Sequence, residues 1–433
     1  SMSNPIIRAL LMTGLALPVV AAAQQPLDLA ALQRAAVARD ARAGQRALLA
    51  KSADLRVQGI EDALKPQFNV SASNSHASDV TFVSIKLPGA SVPIPPKDRW
   101  SAALDVSQVL YDGGAAGRKS AIERARLAEG TAIVDAAVEP LRDEVARTYF
   151  AAALLQATDR ELAALATDLE AVLADTRVRV REGAALGRDS ASVRAELKGV
   201  QGRLLQVRTQ KRSAVANLVR LTGEPIDDAA AFALPEWTGA LARVGADAAA
   251  LRDRPEFARL ARARDRLGAE ESLAGVENRP RVLAFAQGGY GRPGLNQFKP
   301  DPAAFWQAGV KVEWQPFTWG SAARTREVST LQQQVLATEE RALGEQLARA
   351  VQADLDDRDR LRAQLRDDDE VIALRELASA QGDAQRREGA ITAAEAVQLR
   401  TDVVEARLAR DRHRIELAQA EARIATTLGL SPR

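Results

Sequence analysis

The sequence predicts a mainly α-helical fold with a β-barrel portion, in which one structural unit occurs twice. Three observations predict it: a constant internal repeat, two long stretches without proline, and two aromatic-rich stretches in which apolar and polar residues alternate. The composition agrees, because 46% of the residues are hydrophobic but only 4% are aromatic. Such a mixture is typical of long helices that pack through small side chains.

The internal repeat has a period of 206 residues. Trp100 corresponds to Trp306, and the Arg-Glu-Gly-Ala sequence at 181–184 recurs at 387–390. No insertion separates these matches, although loops tolerate insertions far better than rigid elements do. A repeat of this length predicts a duplicated rigid architecture. We therefore divide the chain into four segments: a signal peptide (1–23), the first repeat (24–223), an inter-repeat linker or equatorial segment (224–245), and the second repeat (246–433).

The first 23 residues have the pattern of a secretory signal peptide. Arg8 precedes an apolar run over residues 9–20, and alanines at 21–23 complete an Ala-x-Ala site. We prefer this interpretation to a membrane anchor, because the run is about a dozen residues long and a spanning helix needs about 20. No later stretch is apolar enough to form a spanning helix, so any membrane crossing is predicted to consist of strands.

Long helices are predicted in the two stretches that lack proline. These stretches lie between Pro140 and Pro225 and between Pro316 and Pro432, and proline would break a helix interior. In the second stretch, apolar residues recur at steps of mostly three, four or seven, which indicates coiled-coil packing. The recurring residues before the turn are Leu331, Val335, Leu336, Leu343, Leu347, Val351 and Leu355.

Each long helix is predicted to double back at a glycine. The 68 residues from Gly320 to Arg387 would extend about 100 Å as one helix, longer than a compact domain holds. Gly183 and Gly389 follow basic residues, as expected at a helix C-terminus. Thr392 and Glu395 form a capping box that starts the return helix of the second repeat. Each repeat is therefore predicted to hold one long antiparallel helical hairpin.

Four strands are predicted in the stretches 66–112 and 281–319, which hold 12 of the 17 aromatic residues. In the second stretch, the residues from Trp306 to Trp314 alternate between apolar and polar. A period of two predicts strands with one apolar and one polar face. Four segments show this pattern, the last of them less clearly: 68–73, 100–107, 306–315 and 281–290.

Strands of about ten residues with tryptophan near both ends are typical of a transmembrane β-barrel. We prefer this interpretation to a small soluble sandwich between the helices. Four strands cannot close a barrel, since the smallest such barrels use about eight strands and lipid excludes an open edge. Several copies must therefore each contribute four transmembrane strands, although this argument does not fix their number. The aromatic residues expected at the membrane interface are Trp100, Tyr111, Trp306, Trp314, Phe317 and Trp319.

Several short motifs follow one another in the order and spacing of a known family. They are Leu-Asp-Leu-Ala-Ala-Leu at 27–32, Leu-Lys-Pro-Gln-Phe at 64–68, Leu-Asp-Val-Ser-Gln-Val-Leu-Tyr-Asp-Gly-Gly at 104–114, and the two Arg-Glu-Gly-Ala turns. Through them, the whole mature chain resembles the TolC-like outer membrane factors, the exit ducts of tripartite efflux pumps and type I secretion systems. The resemblance implies a homotrimer that closes a 12-stranded barrel and continues it as a tunnel of 12 helices with a belt around its middle.

The resemblance also implies where the chain acts and with which partners. It implies the outer membrane of a Gram-negative bacterium, with a long periplasmic extension. The expected partners are outer membrane lipid, a periplasmic adaptor (a membrane fusion protein) and an inner-membrane pump of the RND, ABC or MFS class. The cargo and the class of pump stay open.

Two functional regions at the hairpin turns follow from the resemblance. In the family, acidic residues just after the turns narrow the periplasmic entrance, and the matching residues here are Asp189 and Glu395. Gln398 stands where a second acid is expected, and Arg386 replaces an aromatic residue. Glu395 is also the acid of a capping box, so a purely structural role stays open. The adaptor is expected to dock on Arg181, Gly183, Ala184, Arg387, Gly389 and Ala390.

Residue counts argue against other classes of protein. Lys and Arg total 59 against 57 for Asp and Glu, so the nearly neutral chain gives no reason to expect nucleic acid. The chain has no cysteine and only two histidines, which lie in different segments. We therefore expect no enzyme activity, no cofactor and no metal site. The glycine-rich sequence at 289–294 matches a dinucleotide fingerprint, but no helix follows it, and we assign it to a barrel loop.

The alternative function is a periplasmic coiled-coil adaptor or scaffold that never enters the membrane. An adaptor usually carries one helical hairpin flanked by β-rich domains. This sequence predicts two hairpins and two strand pairs, which favours the outer membrane channel.

Overall fold

The computed structural model describes residues 27–81, 94–237, 241 and 250–428. The predicted signal peptide, residues 1–23, lies outside the described residues, as do 238–240 and 242–245 of the predicted linker and 246–249 of the second repeat. The main elements, in chain order, are α1 (Leu29–Arg39), α2 (Gln45–Asp62), β1 (Gln67–His76), β2 (Asp98–Tyr111), α3 (Ala115–Arg181), α4 (Gly187–Thr222), α5 (Pro255–Ala274), β3 (Arg281–Arg292), β4 (Ala303–Glu313), α6 (Ser321–Arg387) and α7 (Ala393–Thr427).

The predicted duplication is present in the helices. α3 and α6 each have 67 residues, and the first and last residues of the two helices differ by the period of the sequence repeat. At about 1.5 Å per residue, each helix is about 100 Å long. Each then reverses into α4 or α7 at the predicted glycine, with φ of +75° at Gly183 and +79° at Gly389. The mainly helical fold with two long hairpins and four strands is confirmed.

The predicted start of the first long helix after Pro140 is wrong, because Pro140 lies inside α3. A helical proline removes one backbone hydrogen bond and crowds the preceding turn. Packing on both sides offsets this local cost, because Val138 and Val145 are buried. The helix therefore continues through the proline.

A second correction concerns the glycine-rich sequence at 289–294. We expected a barrel loop, but residues 289–292 complete β3. The glycines hid the strand because they carry no side chain to alternate. They are needed here, since a Cβ at Gly291 would lie 2.8 Å from the carbonyl oxygen of Trp100 on the neighbouring strand.

The four strands form one antiparallel sheet in chain order, β1-β2-β3-β4. Residues that pair across the strands form rows, and neighbouring rows belong to opposite faces. One row is entirely apolar: Phe68, Val106, Ala286 and Ala308. The next row is entirely polar: Asn69, Asp105, Gln287 and Gln307. Within the described part of the chain, the outer edges of β1 and β4 have no strand partner.

The helices attached to the strands keep the order of the strands. α2 leads into β1, α3 follows β2, α5 leads into β3 and α6 follows β4. In the same order, α2 packs on α3, α3 on α5, and α5 on α6. Sheet and helices form one continuous wall, whose two lateral edges are α2 with β1 and α6 with β4. Nearer the turns, α4 packs on α3, α3 on α7 and α7 on α6, so α4 and α6 are the edges there.

Three buried clusters hold the helices together. The first surrounds Tyr149 and Phe150 where α1, α3, α4 and α7 meet the segment around Phe232. The second lies where α3, α4 and α7 meet nearer the turns, with Leu169 and Val193 among its fully buried side chains. The third joins α6 and α7 near the linker. Of the apolar residues predicted to recur on α6, Val351 and Leu355 are buried in this third cluster, whereas Leu331 and Val335 are exposed.

Among the described residues, none of the helices has the length and apolar character needed to cross a membrane.

Candidate functional sites: a sheet with two faces and two hairpin turns

The apolar face of the sheet is uncovered. Phe68, Val70 and Trp306 are 72%, 79% and 77% exposed. An exposed apolar surface of this extent is typical of a site that contacts a membrane or another protein. Nothing in the described part of the chain packs on this face.

The six aromatic residues predicted for the membrane interface lie near the strand ends. Trp100 and Trp306 are close to the hairpin-loop end of the sheet, where the ring of Trp100 lies 5.8 Å from that of Tyr290. The other four lie at the helix end: Tyr111, Trp314, Phe317 and Trp319. Trp319 is 91% exposed and has a φ of +50°, a rare conformation for a bulky residue.

A hydrogen-bonded row of polar side chains crosses the opposite face. Ser71 on β1 donates to Asp105 on β2 at 3.3 Å, and Gln287 on β3 donates to the same carboxylate at 2.7 Å. Gln307 on β4 then donates to Gln287 at 2.7 Å. The row gives this face the polarity of a water-exposed surface.

Both hairpin turns have the same backbone geometry. At the first turn, the N–H groups of Gly183 and Ala184 donate to the carbonyl oxygens of Val180 and Arg179 at 3.1 and 2.8 Å. At the second turn, Gly389 and Ala390 donate to the equivalent carbonyls in the same way. This Schellman motif requires a left-handed residue after the helix, which glycine adopts without strain. Both turns present exposed Arg-Glu-Gly-Ala sequences, and all six predicted docking residues lie there.

The two predicted entrance acids cap the helices that follow the turns. Glu395 accepts hydrogen bonds from the backbone N–H of Thr392 at 2.8 Å and from its hydroxyl at 2.9 Å. These hydrogen bonds, the one from the backbone first, lower the pKa of Glu395. Asp189 accepts from the backbone N–H of Leu186 at 3.2 Å, which is the same contact in the first repeat. Gln398 lies one turn farther along α7 and donates to Asp402 at 2.9 Å.

A pair of arginines joins the two turns, and we call these contacts the turn clasp. Arg179 on α3 donates to the carbonyl oxygens of Arg386 and Arg387 at the end of α6, both at 3.0 Å. In return, the guanidinium of Arg386, whose side chain is 13% exposed, binds the Asp175 carboxylate on α3 at 2.7 Å. A cation at a helix C-terminus is favourable because the last carbonyls have no partner within the helix. The sequence predicted a role at the entrance for Arg386, but Arg179 only as a basic residue of the last helical turn and Asp175 not at all, because the three residues meet only in the folded chain.

A second contact between the hairpins lies farther from the turns. Arg400 on α7 binds both Asp168 on α3 and Asp383 on α6. Burial of the Arg400 guanidinium opposes its charge, but hydrogen bonds with the two carboxylates raise its pKa overall. The α3–α4 and α6–α7 hairpins are thus linked by charged contacts at two levels.

The described residues contain no cluster of His, Cys, Asp and Glu that could hold a metal ion.

Comparison with known proteins agrees with this architecture. Residues 30–224 match the family described as outer membrane efflux protein. No curated protein matches the sequence at a significant level. The fold is similar to that of the transmembrane channel protein CusC, with a TM-score of 0.71 at 16% identity, covering 93% of this chain and 92% of that one.

Two further solved structures have the same fold. The outer membrane protein VceC of Vibrio cholerae matches with a TM-score of 0.65 at 15% identity, covering 93% of this chain and 96% of that one. The MtrE outer membrane channel of Neisseria gonorrhoeae matches with a TM-score of 0.66 at 17% identity, covering 93% and 89%.

The fold and its two-faced sheet define an outer membrane channel with a helical periplasmic extension. Residues 30–224, which hold the first strand pair and the first helical hairpin, match the outer membrane efflux protein family, whose TolC-like members the sequence motifs resemble. This is a family of channels and not of enzymes. The alternative of a periplasmic adaptor is therefore not supported.

Proposed function

We propose that three copies of this chain form a passive exit duct for a tripartite efflux pump or a type I secretion system. The observation that carries the proposal is the uncovered sheet, with one apolar face, one polar face and two open edges. In lipid, an open strand edge leaves backbone groups without partners, which costs several kcal/mol each. Closure by further copies removes both edges, with the apolar face toward lipid and the polar face toward the lumen.

The helices at the edges of the wall support closure by copies of the same chain. On α6, Val328, Leu331 and Val335 are exposed at heptad-like spacing near the sheet. On α2, Leu48 and Leu55 are exposed one heptad apart. Because α6 and α2 form opposite lateral edges, the exposed residues of one copy can pack on those of the next. Leu374 and Leu377 on α6 and Leu205 on α4 are exposed in the half nearer the turns and allow the same contact there.

The two groups of aromatic residues are proposed to mark the two membrane interfaces. Trp100 and Tyr111 are 11 positions apart on β2, about 37 Å along a strand. A strand tilt of about 40° reduces this to roughly 28 Å across the membrane, close to the apolar band of such barrels. The exposed rings of Trp314, Phe317 and Trp319 would lie at the periplasmic interface.

The hairpin turns are proposed to form the periplasmic entrance. Asp189 and Glu395 would bring carboxylates from each copy to the entrance, with Gln398 and Arg386 close by. The turn clasp would hold the two hairpins of one copy together when the entrance is narrow. Closely spaced carboxylates favour cations and disfavour anions in a pore.

The exposed turns are also proposed to dock a periplasmic adaptor, through the six residues at 181, 183, 184, 387, 389 and 390. An inner-membrane pump of the RND, ABC or MFS class would supply the energy for transport. The duct itself would need no nucleotide, because water and cargo pass through its lumen.

The proposal is tested on protein extracted from outer membranes with detergent. The mass of the purified particle, corrected for detergent, should equal three chains, and the particle should conduct ions in planar bilayers. A particle of one chain that stays soluble without detergent would overturn the proposal. The variant Leu331→Asp with Val335→Asp should abolish assembly. Its control is Arg349→Asp on the same helix, which should leave assembly unchanged.

A further inference from the structure

Two short sequences on the polar face of the sheet have the same form, Phe-x-Gln-x-Gly. They occupy residues 285–289 on β3 and 305–309 on β4. The strand register pairs them in opposite directions: Phe285 with Gly309, Gln287 with Gln307, and Gly289 with Phe305. Each strand therefore supplies one ring and one glycine to a patch with local two-fold symmetry, which we call the ring–glycine patch.

Each phenylalanine ring lies against the glycine of the other strand. A Cβ added to Gly309 would lie 2.9 Å from Cζ and 3.0 Å from Cε1 of Phe285. A Cβ added to Gly289 would lie 2.7 Å from Cζ of Phe305. These distances are too short for carbon atoms, so the rings occupy the space that any other side chain would fill.

The hydrogen bond between Gln287 and Gln307 lies between the two rings and fixes the register of the patch. An aromatic ring on a water-exposed sheet face would otherwise extend away from the sheet, because strand side chains stand roughly perpendicular to it. Contact with the glycine backbone holds the ring close to the sheet instead.

We propose that the glycines of the ring–glycine patch determine the free width of the barrel lumen. They allow Phe285 and Phe305 to lie against the wall, so the lumen stays wide although six rings would line it in a trimer. This inference rests on the proposed function, which turns the polar face toward the lumen. Gly309 is the better position to test, because a Cβ at Gly289 would also lie 2.6 Å from the carbonyl oxygen of Ala102.

The test measures how large a molecule can pass the patch from outside. The chain has no cysteine, so Lys311→Cys introduces a single thiol on the same face, two residues beyond Gly309 on the side away from the hairpin loops. Intact cells are treated with maleimide–polyethylene glycol reagents of increasing mass, and the largest reagent that labels the thiol is recorded. The reference is K311C alone, and every further variant carries K311C.

We expect Gly309→Ala to lower this size limit, because the added methyl group turns the Phe285 ring into the lumen. Adding Phe285→Ala should restore the limit, since no ring remains to be displaced. The matched control is Gly288→Ala on the other face of β3, where the nearest atom to an added Cβ is 4.0 Å away. That control should leave the limit unchanged.

Three outcomes have distinct meanings. If Gly309→Ala labels with the same size limit as the reference, the inference is wrong. It is also wrong if Phe285→Ala fails to restore the limit in a variant that assembles normally. If even the smallest reagent does not label the reference protein, the polar face does not line a water-filled lumen, and the proposed function itself fails.

Discussion

The hydroxyl group of Tyr149 connects three separate parts of the chain. Its ring is fully buried on α3, and the hydroxyl lies 2.7 Å from the carbonyl oxygen of Leu27 and 2.6 Å from that of Ala233. Burial raises the pKa of the phenol, so it stays protonated and able to donate. The segment around Phe232 is thereby held to α3 and to the residue that leads into α1.

Replacing Tyr149 by Phe should destabilise the protein by about 1 kcal/mol, because two buried carbonyl groups lose a donor while the packing stays. Thermal unfolding in detergent, compared with Tyr290→Phe, measures the effect. Tyr290 is half exposed on the sheet, so its variant should unfold like the wild type. Equal unfolding temperatures for all three proteins would contradict the assigned role of the hydroxyl.

The entrance acids Asp189 and Glu395 have two separable properties, a charge and a capping hydrogen bond. Asp189→Asn with Glu395→Gln removes the charges but keeps acceptors for the caps. We expect this variant to lose preference for cations in planar bilayers at unchanged stability. Asp189→Ala with Glu395→Ala should lose the same preference and also conduct more, because both helix starts fray. If both variants keep the ion selectivity of the wild type, Asp189 and Glu395 do not line the entrance.

At the scale of elements, the hairpins were the part most readily predicted from sequence. Gly183 and Gly389 must adopt positive φ, and a sequence with Gly after a basic turn signals this directly. The start of α3 was predicted wrongly at Pro140, because a sequence shows the local cost of a proline in a helix but not the packing along α3 that offsets it. The turn clasp gave no signal, since Arg179 and Asp175 are 207 and 211 positions from their partners in the chain. The ring–glycine patch did leave a signal, the repeated Phe-x-Gln-x-Gly, which the weak alternation of β3 obscured.

The turn clasp connects α3 and α6, and we expect it to limit opening of the entrance. Arg386→Ala and Asp175→Ala should each raise the single-channel conductance, because the turn of α6 is released from α3. Since both changes remove one shared contact, the double variant should conduct no more than the single variants. Arg387→Ala is the control, as its guanidinium bonds only within α6 among the described contacts. Additive increases would indicate that the two residues act independently.

At the scale of the whole molecule, two turns with the same sequence and the same geometry are presented at one end. Cysteine at Ala184 or Ala390 should cross-link to the periplasmic adaptor in cells, because both positions are exposed and the chain has no other thiol. Cysteine at Thr209, which is exposed midway along α4, serves as the control and should give much less product. Equal cross-linking from all three positions would argue against docking at the turns.

The sequence predicted that several copies of the chain are needed to close the barrel. The open edges of β1 and β4 are where neighbouring copies would join. What the sequence could not supply is the order of the helices beneath the sheet, because that order depends on contacts between segments far apart in the chain. Only the contacts between helices in the folded chain show that α2 and α6 lie at opposite edges.

The central claim is that β4 of one copy pairs with β1 of the next until a ring is closed. The most direct measurement is oxidative cross-linking of Val70→Cys combined in turn with Ala304→Cys, Ala308→Cys or Val310→Cys, all of which lie on the apolar face. In at least one register we expect covalent dimers and trimers on a denaturing gel, and nothing larger. The absence of any product between copies, or a ladder that continues beyond three chains, would contradict the account.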